Sequence, residues 1–317
     1  MDLASILVYL DSSRRSHQHI AVSVVLASAF DAHVHALHAD PATPHDGPSS
    51  DAEVVRRAFL GVIEDAPVEG SWHATHGDPA QRLVHESRAV DLLVLGQHTF
   101  LGKEGDNLAA LGSCILAAGR PVLVIPAHGW IRERPGRAVL VAWNGSREST
   151  RALRDSLPLL RRAGSVQLVH FREHSARNRY ADHQPAHHET HPTTHYETHH
   201  ETHTEAHTEA HRQAGHERGF ADPAPGPADN GTRVTQGTSV QYALAWLARH
   251  GVTARALTCA LGAGQDAGDA ILSHASDTGA DLIVSGAYGH GPWREAVFGG
   301  VTRTLLRAMT VPVLFSH

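Results

Sequence analysis

Ile6-Leu7-Val8-Tyr9-Leu10-Asp11-Ser12-Ser13 and Ala138-Val139-Leu140-Val141-Ala142-Trp143-Asn144-Gly145-Ser146 open two copies of one plan. Each is a short apolar run that stops at a polar turn and leads into helix-like sequence. Unbroken apolar runs of this length read as strands buried on both faces, as in parallel sheets. The first copy continues with a helix over 16–30, a strand near 33–38, a helix near 51–65 and a strand around 72–76. Asp78-Pro79 starts the next helix, since Asp accepts from free N–H groups and Pro suits the first helical position. A strand at 92–95, a helix ending near Gly119 and a strand at 121–125 complete this copy.

The second copy follows the same alternation, with a helix from Ser146 to about Arg162 and a strand at 166–169. Helices at 240–249, 267–278 and 302–308 then alternate with strands at 254–259, 282–285 and 311–315. Both copies end in the same words, Pro121-Val122-Leu123 and Pro312-Val313-Leu314. Strands alternating with helices imply β-α-β units and a parallel sheet covered on both faces. A tandem duplication into two α/β domains, 1–128 and 135–317, accounts for the pattern.

The 317 residues suit two domains at roughly 100–200 residues each. The net charge is −6 and Lys and Arg form no cluster, which argues against a nucleic-acid partner. Cys114 and Cys259 lie far apart in apolar runs, so neither a disulfide framework nor a Cys zinc site is expected. No apolar stretch approaches the ~18 residues of a membrane span, and the first apolar run lacks the charged start of a signal peptide. A cytoplasmic chain without a membrane partner is the expectation.

Residues 171–235 interrupt the second copy and hold 12 of the 28 histidines. His187, His191, His195, His199, His203, His207 and His211 recur every four residues, with Glu197, Glu201, Glu205 and Glu209 on the same step. In a helix such a row would share one face, where imidazoles chelate zinc or nickel. The alternative is a repeat expansion in a tolerant, mobile loop with incidental metal affinity. Because this segment follows the second strand of its copy, it is expected over the sheet edge where ligands bind, as a lid sensitive to pH or metal.

Gly286, Gly289 and Gly299-Gly300 carry the strongest functional signal. The spacing G-x2-G-x9-G starts where a strand ends and finishes where a helix begins. Glycines allow close backbone approach to a ligand, and free N–H groups at a helix start favour a phosphate. The competing reading is two tight turns around a short helix. Gly96 to Lys103 mimics a P-loop, but with one residue too many and with Glu104 where a hydroxyl must hold magnesium.

With these residues in place, the chain resembles a tandem universal stress protein. The resemblance covers all but the His-rich insertion. It implies two Rossmann-like domains, each a five-stranded parallel sheet flanked by helices, and meeting of the terminal strands in an internal pseudo-dimer or a homodimer. It also implies binding of ATP or AMP at Asn144, Val169, Gly286, Gly289, Gly299, Gly300 and Val301. Asn144 stands where the family has Asp, and Gly300 where it has Ser or Thr. The first copy keeps the acid, Asp11, but has Thr99 for the second glycine, and Asp106 and Asn107 are expected to cap the last helix there. Its site is expected to be degenerate. No catalytic residue is expected, and ATP hydrolysis would be slow at most. The alternative function is a nucleotide-free interaction scaffold whose His-rich segment binds metal.

Overall fold

Among the described residues, ten short strands form a single sheet in the order β3-β2-β1-β4-β5-β10-β9-β6-β7-β8. The computed structural model describes residues 3–40, 50–100, 104–129, 131, 134–172, 236–262, 264–289 and 300–317. All of them fall in one compact unit made of Met1–His174 and Val234–His317. The first half runs β1 (Ser5–Tyr9), α1 (Ser16–Phe30), β2 (His33–Asp40), α2 (Ser50–Glu64), β3 (Gly70–His76), α3 (Pro79–Glu86), β4 (Leu92–Gly96), α4 (Glu104–Ala117) and β5 (Val122–Ile125). The second half runs β6 (Ala138–Ala142), α5 (Arg147–Asp155), α6 (Leu157–Arg161), β7 (Ser165–Arg172), α7 (Gln236–Arg249), β8 (Ala254–Ala260), α8 (Ala267–Thr278), β9 (Leu282–Gly286), α9 (Gly300–Ala308) and β10 (Val313–Ser316).

Alternation along the strands sorts the core into two layers. Ile6, Val8 and Leu10 pack with Ile20 and Leu26 of α1, Phe59 of α2 and Leu153 of α5. Leu7 and Tyr9 face the other way, in the layer that holds Leu83 of α3, Leu111 of α4 and Leu305 of α9. Asp78 caps α3 as expected, accepting from the backbone N–H of Gln81 at 2.8 Å.

Every neighbouring pair of strands is parallel except β5 with β10. There Val124 faces Val313, Leu123 faces Leu314 and Val122 faces Phe315, so the two Pro-Val-Leu repeats pair with each other. Gln97 adds a polar bridge beside the seam. Its Nε2 donates to the carbonyls of Leu306 (2.7 Å) and Arg307 (3.1 Å), and its Oε1 accepts from Ala127 N (2.7 Å). These carbonyls close α9, where intrahelical partners have run out.

Three expectations are corrected. The helix expected from Ser146 to about Arg162 is two helices, because Pro158 has no N–H to give and its ring disfavours a continuous helix through the preceding turn. β7 runs on to Arg172, where Phe171 and Arg172 pair with Cys259 and Ala260, so those two residues belong to the sheet and not to the insertion. α4 begins at Glu104, which places Asp106 and Asn107 inside its first turn and not at its cap.

Leu314 is 1% exposed and central to the seam. Leu314→Ala is expected to cost roughly 2–5 kcal/mol in urea unfolding. One cooperative transition should report both halves; two separated transitions would contradict a single cooperative sheet.

Candidate functional site

In each half the chain leaves its first strand toward one side of the sheet and returns to the fourth strand on the other. The crevices between β1 and β4, and between β6 and β9, are therefore topological switch points, where open α/β sheets bind ligands at the carboxyl ends of their strands. Asp11 and Gly96 flank the first crevice, and Asn144 and Gly286 the second.

The two crevices begin alike. Asp11 Oδ1 accepts from Ser13 N and Asn144 Oδ1 from Ser146 N, both at 3.0 Å, which are Asx turns. The oxygen of Asn144 is thus engaged by its own backbone, and its NH2 end is the part offered to a ligand. Sequence reasoning missed a second shared feature. Nδ1 of His38 contacts Leu10 O and Nδ1 of His170 contacts Trp143 O, both at 2.8 Å. A carbonyl can only accept, so Nδ1 carries the proton in both rings. Each buried imidazole ties the end of the second strand to the residue before the Asx turn. Overlaying the two copies residue by residue would have revealed the pair.

Beyond this point the halves diverge. In the first, Asp11, Arg15, His19, Gly96, Gln97 and His98 line a cleft. His19 is 5% exposed, and a Cβ on Gly96 would lie 2.4 Å from its Cε1. Burial lowers the His19 pKa to about 4, against an opposing pull from Asp11. The following loop satisfies itself: Thr99 Oγ1 donates to Gly96 O (2.7 Å), Asn107 Nδ2 donates to Gln97 O (2.8 Å), and Asn107 Oδ1 accepts from Phe100 N (3.0 Å). Among the described residues of this loop, these three polar groups are thus bonded to the chain itself.

In the second half the glycines separate by cause. A Cβ on Gly286 would meet Glu148 C and Ser149 N at 2.6 Å, so this glycine is required by the packing of α5 on β9. A Cβ on Gly289 would meet nothing nearer than Glu148 Oε2 at 3.5 Å, and one on Gly300 nothing nearer than Asp266 Oδ2 at 3.7 Å. Both are ordinary contacts, so the described packing does not demand glycine at either place. Between Gly286 and Gly289, Tyr288 has φ +55°, a left-handed backbone that costs a non-glycine residue on the order of 1–3 kcal/mol. Its N–H donates to Thr302 Oγ1 (3.2 Å) in the first turn of α9, and burial raises the pKa of its phenol. Gly300 and Val301 open α9, whose first N–H groups lack intrahelical acceptors.

Glu148 is also here, buried, with Arg147 Nη2 3.1 Å from its Oε1. Val169 is 0% exposed, its carbonyl accepts from Trp143 N, and β7 continues past it. Its side chain is packed in the core. Gly299, the His-rich row from His187 to His211 and the lid expected there lie outside the described residues. Among the described residues, no group of three or more His, Cys, Asp or Glu side chains is arranged to hold a metal ion, and no helix is long and apolar enough to cross a membrane.

Residues 236–317 match the model of the universal stress protein family. The fold of the whole chain is similar to that of a universal stress protein from Archaeoglobus fulgidus, with 14% identity, a TM-score of 0.62, and 98% of this chain and 97% of that one covered. It is also similar to a functionally unknown protein from Pseudomonas aeruginosa PAO1, with 12% identity, a TM-score of 0.58, and 99% and 92% covered. At these identities the likeness is one of fold. No curated protein matches the sequence.

Two predictions separate packing from ligand roles in this fold. Gly286→Ala is expected to destabilise by roughly 1–3 kcal/mol through overpacking, while Gly289→Ala and Gly300→Ala stay within about 0.5 kcal/mol in urea melts. Equal losses at all three positions would remove the distinction. His19 has a folded pKa near 4 against an ordinary 6.5, so the unfolded chain binds more protons between these values. Its contribution is complete above pH ~6.5 and is lost as pH falls toward ~4. His19→Gln should flatten the pH dependence of Tm in that window, and an unchanged slope would contradict a neutral buried imidazole.

Proposed function

We propose that the second half binds an adenine nucleotide, ATP or AMP, in the crevice between β6 and β9, and that occupancy of this crevice is the signal the protein transmits. The observation that carries the reading is the pair Gly289 and Gly300. The described packing around them leaves room for a side chain, yet both positions are glycine, Gly289 next to a left-handed Tyr288 and Gly300 at the N-terminus of α9. Close backbone approach by a phosphate gives glycine a role there. In this reading Gly289, Gly299, Gly300 and Val301 offer backbone donors to the phosphates and Asn144 offers its NH2 to the ribose or base. Gly286 keeps α5 close enough for the crevice to form. The nucleotide is bound, not turned over, and the first half serves as a structural partner.

A nucleotide-free scaffold is the second reading. The carboxylate of Glu148 near Gly289 favours it, because a negative group there opposes an incoming phosphate.

Calorimetric titration of the full chain with ATP and with AMP, alongside acid extraction of freshly purified protein, tests the proposal. Binding near one nucleotide per chain, weakened ~10-fold or more by Gly289→Ala at unchanged Tm, is the expected result. No bound nucleotide and no heat with either ligand would leave the scaffold.

A further inference from the structure

The β3 edge of the sheet carries a side-chain cluster that neither crevice uses. β2 lies between β1 and β3, with His35 opposite Leu7 on one side and Ser71 on the other. Strand alternation sends His33 and His35 to the same face as Leu37, which packs with Leu83 of α3. On the opposite face Val34, Ala36 and Trp72 join the core with Phe59 of α2. A Cβ on Gly70 would already meet Ile63 Cδ1 at 2.9 Å, so the start of β3 is held close against α2. Ser71 is thereby presented to the two histidines in a fixed register. Its hydroxyl is their meeting point: Oγ lies 3.1 Å from His33 Nε2 and 2.9 Å from His35 Nδ1. The two rings stand 4.3 Å apart, centre to centre. The other nitrogen of His33, Nδ1, has the Glu69 carboxylate 3.7 Å away.

We infer that His33 and His35 form a two-imidazole chelate for a divalent transition metal such as zinc, held between Nε2 of His33 and Nδ1 of His35, with the exposed Ser71 side chain rotating aside. Imidazole nitrogen suits zinc and its neighbours among the borderline metals. Here one nitrogen of each ring already converges on a single point. To bind, both nitrogens must offer lone pairs. Glu69 favours the His33 proton on Nδ1, which leaves Nε2 as an acceptor; a carboxylate behind a metal-binding imidazole orients it in this way. Ser71 has a single hydroxyl proton, and when it goes to His33 Nε2, Oγ accepts from Nδ1–H of His35. Metal binding then requires one tautomer shift, of the His35 proton from Nδ1 to Nε2. Two side-chain ligands leave the remaining positions to water, so the site is open and exchanging, unlike a structural site closed by four ligands. It accordingly falls short of the three or more His, Cys, Asp or Glu side chains that no group among the described residues assembles. The site stands apart from the nucleotide reading, and in sequence it is separate from the row that runs from His187 to His211.

The test is a zinc titration of the full chain, followed through individual imidazole and amide signals by NMR, because a residue-resolved readout separates this pair from the His-rich row. The His33 and His35 ring signals and the Ser71 amide should shift together along one binding curve. That curve should weaken ~10-fold or more in His35→Gln and in His33→Gln, while the response of residues 187–211 stays as in wild type. The His33 side chain is 31% exposed, so its variant keeps the test decisive if His35→Gln folds poorly. Ser71→Ala removes the competing hydroxyl and should bind zinc at least as tightly as wild type. Silence at His33 and His35 while residues 187–211 respond would overturn the inference. So would an equal response at His73 and His85, which face Glu86 near the same edge, since that would mark general association of zinc with surface histidines.

Discussion

Backbone pairing between β5 and β10 is the constraint on which the rest of this protein depends. Among the described strands it is the one antiparallel contact in an otherwise parallel sheet, and it sets Leu123 against Leu314 with both side chains at 1% exposure. The two copies of Pro-Val-Leu are therefore each other's partners. Without this seam each half would end in an edge strand with unpaired N–H and C=O groups, a ready template for wrong association. Gln97 then locks the arrangement, because its amide satisfies the end of α9 and the backbone of Ala127 together. Its role ties the loop after β4 to the opposite half, which commits that loop to structure.

That commitment accounts for the divergence of the two crevices. Both halves keep the strand order that creates a switch point, the Asx turn at its mouth and the buried histidine behind it. In the first half, Gln97 is turned toward the seam, Asn107 and Thr99 close the loop, and His19 fills the space over Gly96. In the second half no such closure is present among the described residues after β9, and Gly289 directly follows a strained Tyr288. Local strain persists only where surrounding contacts hold it, and it concentrates at sites of function. One scaffold thus carries two crevices whose described residues differ in how far the loop bonds to itself.

Much of this architecture was legible in the sequence because buried parallel strands announce themselves as unbroken apolar runs. Leu92–Gly96 and Leu282–Gly286 are such runs, and the structure places both in the middle of the sheet. The Asp78-Pro79 cap was equally legible, being a local signal with a local cause. The break at Ser156 was not, since Pro158 is compatible with the first turn of a new helix and periodicity alone carries through it. The extent of β7 was hidden because Phe171 and Arg172 are strand residues only by virtue of their partners Cys259 and Ala260. At the candidate site, sequence spacing gathered Gly286, Gly289 and Gly300, and the family resemblance added Asn144, but neither could tell a glycine demanded by packing from one that the described packing leaves free. That distinction needs the three-dimensional position of Glu148 and Ser149. Glu148 itself carried no motif, because its meaning lies in a tertiary contact.

The central claim is that only the second crevice is open to a ligand. The most direct measurement is residue-resolved amide NMR of the full chain during titration with AMP. The account predicts shifts at Gly289, Gly300 and Val301 with none beyond noise at Gly96, Gln97 and His98. Shifts of comparable size in both sets would contradict it, because the first crevice would then be a working site despite His19 and its closed loop.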